Sequence, residues 1–111
     1  MLKATIITVS FNSARTIRDT IESVLDQDYP YIEYIIVDGH SSDGTQQIVD
    51  SYGSRISRFI SEKDKGLYHA MNKGIDMASG DIVGILNSDD VYSCNQVISL
   101  VVNKFESELT D

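Results

Sequence analysis

Four short runs of β-branched and aliphatic residues alternate along this chain with segments whose apolar residues recur at helical spacing. The first run, Ala4-Thr5-Ile6-Ile7-Thr8-Val9, has almost no polar alternation, as expected of a strand covered on both faces in a parallel sheet. Tyr34-Ile35-Ile36-Val37 reads as the second strand, Ile56 to Ile60 as a shorter third, and Ile82 to Leu86 as the fourth. Strands that alternate with helices predict a Rossmann-like, three-layer α/β/α domain with a mainly parallel sheet and right-handed crossovers.

The helical segments have start and stop signals. Ser10-Phe11-Asn12-Ser13 breaks the first strand, after which Ala14, Ile17, Ile21, Val24 and Leu25 fall at helical spacing until Asp28-Tyr29-Pro30. Gly39 to Thr45 is a turn rich in glycine and capping residues, where Asp43 and Gln46 form an N-terminal cap pattern. The helix after it is expected to turn Ile48, Val49 and Tyr52 inward and to end at Gly53. Leu67, Met71, Ile75 and Ala78 share one helical face and are expected in the core, with Met77 as filler and Gly80 as the stop. Val97, Ile98, Val101, Val102 and Phe105 mark a last helix.

Composition excludes several classes. The 111 residues suffice for one domain, 1–111. A net charge of −8 with no basic run argues against a nucleic-acid partner. Cys94 is the single cysteine, which leaves neither a disulfide framework nor zinc-ligand spacing. No segment has membrane-span length, and Met1-Leu2-Lys3 runs into a strand with no signal-peptide pattern, so a cytoplasmic protein is expected.

The chemistry gathers where the strands end. In an open parallel sheet the carboxyl ends lie along one edge, which would bring Ser10, Phe11, Asn12, Asp38, Asp89 and Asp90 to a single crevice. An aromatic ring there can stack on a base, and a carboxylate can accept from a base imide or a ribose hydroxyl. Neither a Walker lysine motif nor Gly-x-Gly-x-x-Gly follows the first strand. A divalent ion, Mg or Mn, held by Asp89 or Asp90 would instead meet a diphosphate, with Lys65 and Lys73 as candidate phosphate partners. His40 and His69 lack spaced metal or triad partners, and Ser41, Ser42, Asp43 and Thr45 suit a helix cap better than nucleophilic catalysis.

Four blocks resemble the successive signatures of family 2 glycosyltransferases with the GT-A fold. They are Thr8 to Asn12, Val37 to Thr45, Asp64 to Gly74 and Leu86 to Asp90, in the family's order. The resemblance implies a nucleotide-diphosphate-sugar donor, a divalent metal and inverting transfer to an acceptor hydroxyl. Carried over by position, Phe11 would lie against the base, Asp38 would contact base or ribose, Asp89 would lie near ribose and metal, and Asp90 would bind the metal; Ser10, Asn12 and Lys65 complete the expected donor site. Two departures stand out: Gly39 where many members have a second acid, and Asn87 where many have an acid two places before Asp89.

Transfer also needs a base, which the resemblance puts beyond this chain's last residue; Asp64 is a spare acid with nothing in the sequence to support that role. The chain is therefore expected to be the N-terminal donor-binding part of a longer transferase, inactive alone, with a sugar or lipid-linked acceptor. Any membrane association would come through the parts beyond it. A truncated sheet edge would favour homodimers. A phosphoacceptor receiver domain would place its acidic pair after the first strand, where Ser10-Phe11-Asn12 stands. A nucleotidyltransferase would use the same crevice and attack phosphorus, and a plain interaction module would leave the four blocks unexplained.

Overall fold

The computed structural model describes residues 1–109. Strands β1 (Ala4–Ser10), β2 (Ile32–Asp38), β3 (Arg58–Ser61) and β4 (Ile82–Ile85) form one sheet in the order β3-β2-β1-β4. All neighbours pair in parallel, with Ile6 opposite Tyr34 and Gly84, and Val37 opposite Val9 and Ile60. The helices are α1 (Ile17–Leu25), α2 (Thr45–Asp50), α3 (Leu67–Met77) and α4 (Val97–Leu109), with a 3-10 turn at Gly53–Arg55.

The two faces of the sheet follow the period of two along β1 and β2. Ala4, Ile6, Tyr34 and Ile36 pack with Ile17, Ile21 and Val24 of α1, Val49 of α2, and Ile98 and Val102 of α4. Ile7, Val9, Ile35 and Val37 face the other way, onto Ala70 of α3. Both central strands are therefore buried on both faces, which is why their sequences show no regular polar alternation; their few polar side chains, among them Thr5, Thr8 and Glu33, are buried too.

Some local expectations change. Leu67 and Ile75 are exposed, at 50% and 46%, and only Met71 and Ala78 of the expected stripe pack partly on the core. The buried face of α3 is Ala70 and Gly74, because the helix sits so close to β1 that a Cβ at Gly74 would lie 2.5 Å from Ile7 Cγ2. Larger side chains have no room there. In α4, Ile98 and Val102 are buried while Val101 and Phe105 are exposed. Helix α1 begins at Ile17, so Ala14 belongs to the loop before it, and β3 begins at Arg58.

The Asp43/Gln46 cap is not formed as expected. Gly44, at φ 103°, holds the cap position of α2 without a side-chain cap bond. Asp43 Oδ1 instead accepts the Thr45 N–H at 3.1 Å and its hydroxyl at 2.5 Å, while Gln46 Nε2 donates to the Ser41 carbonyl. Helix α2 ends at Asp50, and Tyr52 is buried in the turn beyond it.

Candidate functional site

The carboxyl ends of β1 and β2 meet at Asp38, which is fully buried. Its Oδ1 accepts the Ser10 hydroxyl at 2.7 Å and the Ser41 hydroxyl at 2.6 Å. Its Oδ2 accepts the Ser41 backbone N–H at 2.8 Å and the Ser61 hydroxyl at 2.8 Å. Burial pushes this carboxyl up, but the Ser41 hydroxyl and N–H with Ser10 and Ser61 outweigh it and hold it below the usual aspartate range. One carboxylate thus ties together the ends of β1, β2 and β3.

Asn12 completes the join between the first two loops. At φ 47° it is in the left-handed region, where asparagine is among the better tolerated residues. Its N–H donates to Ser41 Oγ at 2.8 Å, and its Oδ1 accepts the Ser42 N–H at 3.0 Å. Asn12 therefore shapes the rim of the site.

Beside this join lies an open cleft of about 630 Å³ lined by Val9, Ser10, Phe11, Gly39, His40, Lys63, Asp64, Gly66, Leu67 and Ala70. Phe11 is 65% exposed, so its ring is available to a flat ligand. Asp64 Oδ1 accepts the Gly66 N–H at 3.1 Å. Among the described residues Asp64 Oδ2 has no hydrogen-bond or ion-pair partner. Lys63, Asp64 and Leu67 lie outside the donor contacts expected from sequence. The signal for them was the strand-end rule applied to the third strand, since β3 next to β2 brings its following loop to the same edge.

Asp89 and Asp90 follow β4, on the other side of β1 from β2, and do not line this cleft. Their loop is firmly held. The Thr16 hydroxyl donates to the Ser88 carbonyl at 2.8 Å, the Thr20 hydroxyl to the Asp90 carbonyl at 2.6 Å, and the Ser13 and Ser88 hydroxyls are 2.6 Å apart. Both acids are exposed, and among the described residues neither carboxylate has a partner.

No group of three or more His, Cys, Asp or Glu side chains converges among the described residues. That arrangement does not fit an all-protein metal cage. It does fit an ion such as Mg²⁺, which needs one or two carboxylates and fills its other positions with water and phosphate oxygens.

The remaining charged residues are placed as follows. Lys65 is exposed outside the cleft lining, and its backbone N–H donates to His69 Nδ1 at 2.8 Å. Lys73 Nζ pairs with Glu62 at 2.9 Å and reaches the Lys63 carbonyl at 3.3 Å, so it fastens α3 to the segment after β3. His40 lines the cleft at φ 67°. Cys94 is free and exposed. No helix among the described residues is long and apolar enough to cross a membrane.

Comparison with known proteins gives this edge a context. The Glycosyl transferase family 2 profile matches residues 5–111. The putative teichuronic acid biosynthesis glycosyltransferase TuaG of Bacillus subtilis is 43% identical over 90 residues, covering 78% of this chain and 36% of TuaG. The UDP-Glc:alpha-D-GlcNAc-diphosphoundecaprenol beta-1,3-glucosyltransferase WfgD of Escherichia coli is 37% identical over 93 residues, covering 83% of this chain and 37% of WfgD. The chain thus spans little more than a third of these relatives.

Among solved structures, the mannosyltransferase PcManGT of Pyrobaculum calidifontis, in complex with GDP-Man and Mn²⁺, superposes with a TM-score of 0.83 at 27% identity, over 91% of this chain and 31% of that one. TarS 1–349 of S. aureus with UDP-GlcNAc gives 0.83 at 27% identity, over 96% of this chain and 32% of that one. The fold is the α/β architecture of GT-A glycosyltransferases. A family profile spanning nearly the whole chain, on a sheet whose strand ends carry the cleft and the acid pair, establishes that this chain belongs to glycosyltransferase family 2.

Proposed function

We propose that residues 1–111 are the N-terminal, donor-binding part of a longer, inverting, metal-dependent glycosyltransferase. The observation that carries this reading is the pairing, across one loop, of an open aromatic-walled cleft with two carboxylates that have no partner among the described residues: Phe11 lies in the cleft, and Ser13 holds Ser88, next to Asp89. A nucleotide base would lie against Phe11, and the diphosphate would run past Ser10 to Ser13 toward the end of β4. Asp90, with Asp89, would hold Mg²⁺ or Mn²⁺ there.

The bound ion would neutralise charge on the departing nucleoside diphosphate. The residues of this chain supply binding and orientation: Phe11 the base platform, Asp38 the fixed geometry of the loops, and Thr16 and Thr20 the position of the acid pair. An acceptor hydroxyl oxygen would form the new bond to the anomeric carbon as the bond from that carbon to the diphosphate oxygen breaks. Its proton would go to a base outside this chain. Mn²⁺ in the PcManGT complex supports the metal, and GDP-Man and UDP-GlcNAc in the two neighbours support a nucleotide-sugar donor. The name of TuaG supports a role in polysaccharide biosynthesis, and that of WfgD a lipid-linked acceptor.

Product analysis tests this reading. The full-length protein, given UDP- and GDP-sugars with Mn²⁺ and an undecaprenyl-diphosphate-linked sugar, should release nucleoside diphosphate and form a linkage of inverted anomeric configuration. Release of pyrophosphate would identify a nucleotidyltransferase instead, and retention at the anomeric carbon would refute inversion.

A further inference from the structure

We propose that Asp64, not Asp38, is the carboxylate that reads the donor's base, accepting a hydrogen bond from the ring N–H of a uracil or guanine laid against Phe11. The inference rests on the donor-site reading above and assigns its base specificity to one residue.

Asp38 has no capacity left for a ligand. Its two oxygens already accept four hydrogen bonds, and none of its surface is exposed. A base or ribose could reach it only by displacing serines that also join the strand ends. Asp38 is thus suited to positioning.

Asp64 has what Asp38 lacks. It lines the cleft with Phe11, and Gly66 engages its Oδ1 while Oδ2 stays free among the described residues. The space it uses is provided by Gly39. A Cβ at position 39 would lie 2.9 Å from Asp64 Oδ2 and 3.3 Å from Phe11 Cδ1. Gly39 is not in the left-handed region, so a side chain there is opposed by this carboxylate and not by backbone strain. The free oxygen and the aromatic ring thus flank the same point. A carboxylate at position 39 and the present one at position 64 would compete for the same volume, and this chain brings its acid from the loop after β3.

The chemistry follows from acceptor-only character. An ionised carboxylate beside the ring pairs with uracil N3–H, or with guanine N1–H and its amino group, and repels the unprotonated N3 of cytosine. The site should therefore favour UDP or GDP over CDP.

The test is calorimetric titration of the full-length protein with UDP, GDP and CDP in Mn²⁺, for the wild type and Asp64→Asn, with folding checked by thermal unfolding. Wild type should bind UDP or GDP about tenfold or more tightly than CDP, the size of one charge-assisted hydrogen bond, and Asp64→Asn should remove most of that preference. Gly39→Asp combined with Asp64→Gly should restore part of it. In the wild type, methylation at N3 of UDP, or at N1 of GDP, should weaken binding to a similar extent; this arm needs no variant. An unchanged preference in Asp64→Asn, or full affinity for the N-methylated nucleotide, would overturn the assignment while leaving the donor site standing. Failure of the wild type to bind any of the three nucleotides with metal would overturn the donor site itself, and this assignment with it.

Discussion

Ser41 gives Asp38 both of its donors, the backbone N–H at 2.8 Å and the hydroxyl at 2.6 Å, so the residue three places after the strand closes a ring back onto its last position. Ser10 and Ser61 bring the neighbouring strands to the same carboxylate. Removing the carboxylate strands several buried donors at once. Asp38→Ala should therefore destabilise the domain by about 3 kcal/mol or more, since each buried group left unsatisfied costs about 1–3 kcal/mol. Chemical denaturation of the two proteins measures this, and a loss below about 1 kcal/mol would show that the ring is dispensable.

The same carboxylate gives the domain an acid limit. Asp38 lies below the usual range because hydrogen bonds outweigh burial, and Glu33 does so for a similar reason, with Ser79, Thr5 and Lys3 opposing its burial. A group whose folded value is depressed contributes stability above its unfolded value and loses it as pH falls through the folded one. Stability should therefore stay nearly flat from neutral pH down to about 5 and fall steeply below about 4, where unfolded aspartate and glutamate titrate. Denaturation midpoints across this range check the sign. In Asp38→Asn the slope on the acid side should be shallower.

Contact between α3 and β1 allows no added volume. With Ile7 Cγ2 only 2.5 Å from a Cβ at Gly74, Gly74→Val should cost more than the usual 1–3 kcal/mol of overpacking. Gly74→Ala tests the same contact more gently, because its gain in helix propensity of about 1 kcal/mol opposes the clash. A net loss in that variant would show that the close approach dominates.

Thr20 fixes the acid pair from below, through its hydroxyl bond to the Asp90 carbonyl. Thr20→Val keeps the shape and removes the bond. It should cost about 1–2 kcal/mol in stability and weaken Mn²⁺-dependent nucleotide binding several-fold, because a displaced Asp90 loses its alignment. Loss of stability with unchanged metal-dependent affinity would separate this bond from the site.

Much of the architecture was legible because the physics that forms it is local and periodic. Ala4 to Val9 and Tyr34 to Val37 are β-branched, aliphatic or aromatic at nearly every position, with Thr5 and Thr8 buried among them, as a strand covered on both faces requires. Leu67 and Ile75 share a helical face yet stay exposed, because helical spacing identifies a face without saying how close the sheet will come, and here the contact selects Ala70 and Gly74. Asp43 and Gln46 have cap spacing, yet their side chains find partners at Thr45, Ala14 and Ser41, the first two through Asp43 and the last through Gln46. The strand-end rule points to Phe11, Asp38, Asp89 and Asp90. It carries no information on which acid is saturated by its neighbours, since the serines that saturate Asp38 come from three separate segments. Asp64 is not legible as a ligand contact for a related reason: its place beside Phe11 depends on Gly39 having no side chain.

The central claim, a metal-dependent nucleotide-diphosphate site at the ends of β1 and β4, is tested most directly by titrating the full-length protein with UDP and GDP, each with Mn²⁺ and with chelator, in parallel with Asp90→Asn. The account predicts saturable binding of at least one nucleotide that disappears with chelator and in the variant. Binding of equal strength with chelator, unchanged affinity in Asp90→Asn, or no binding of either nucleotide would contradict it.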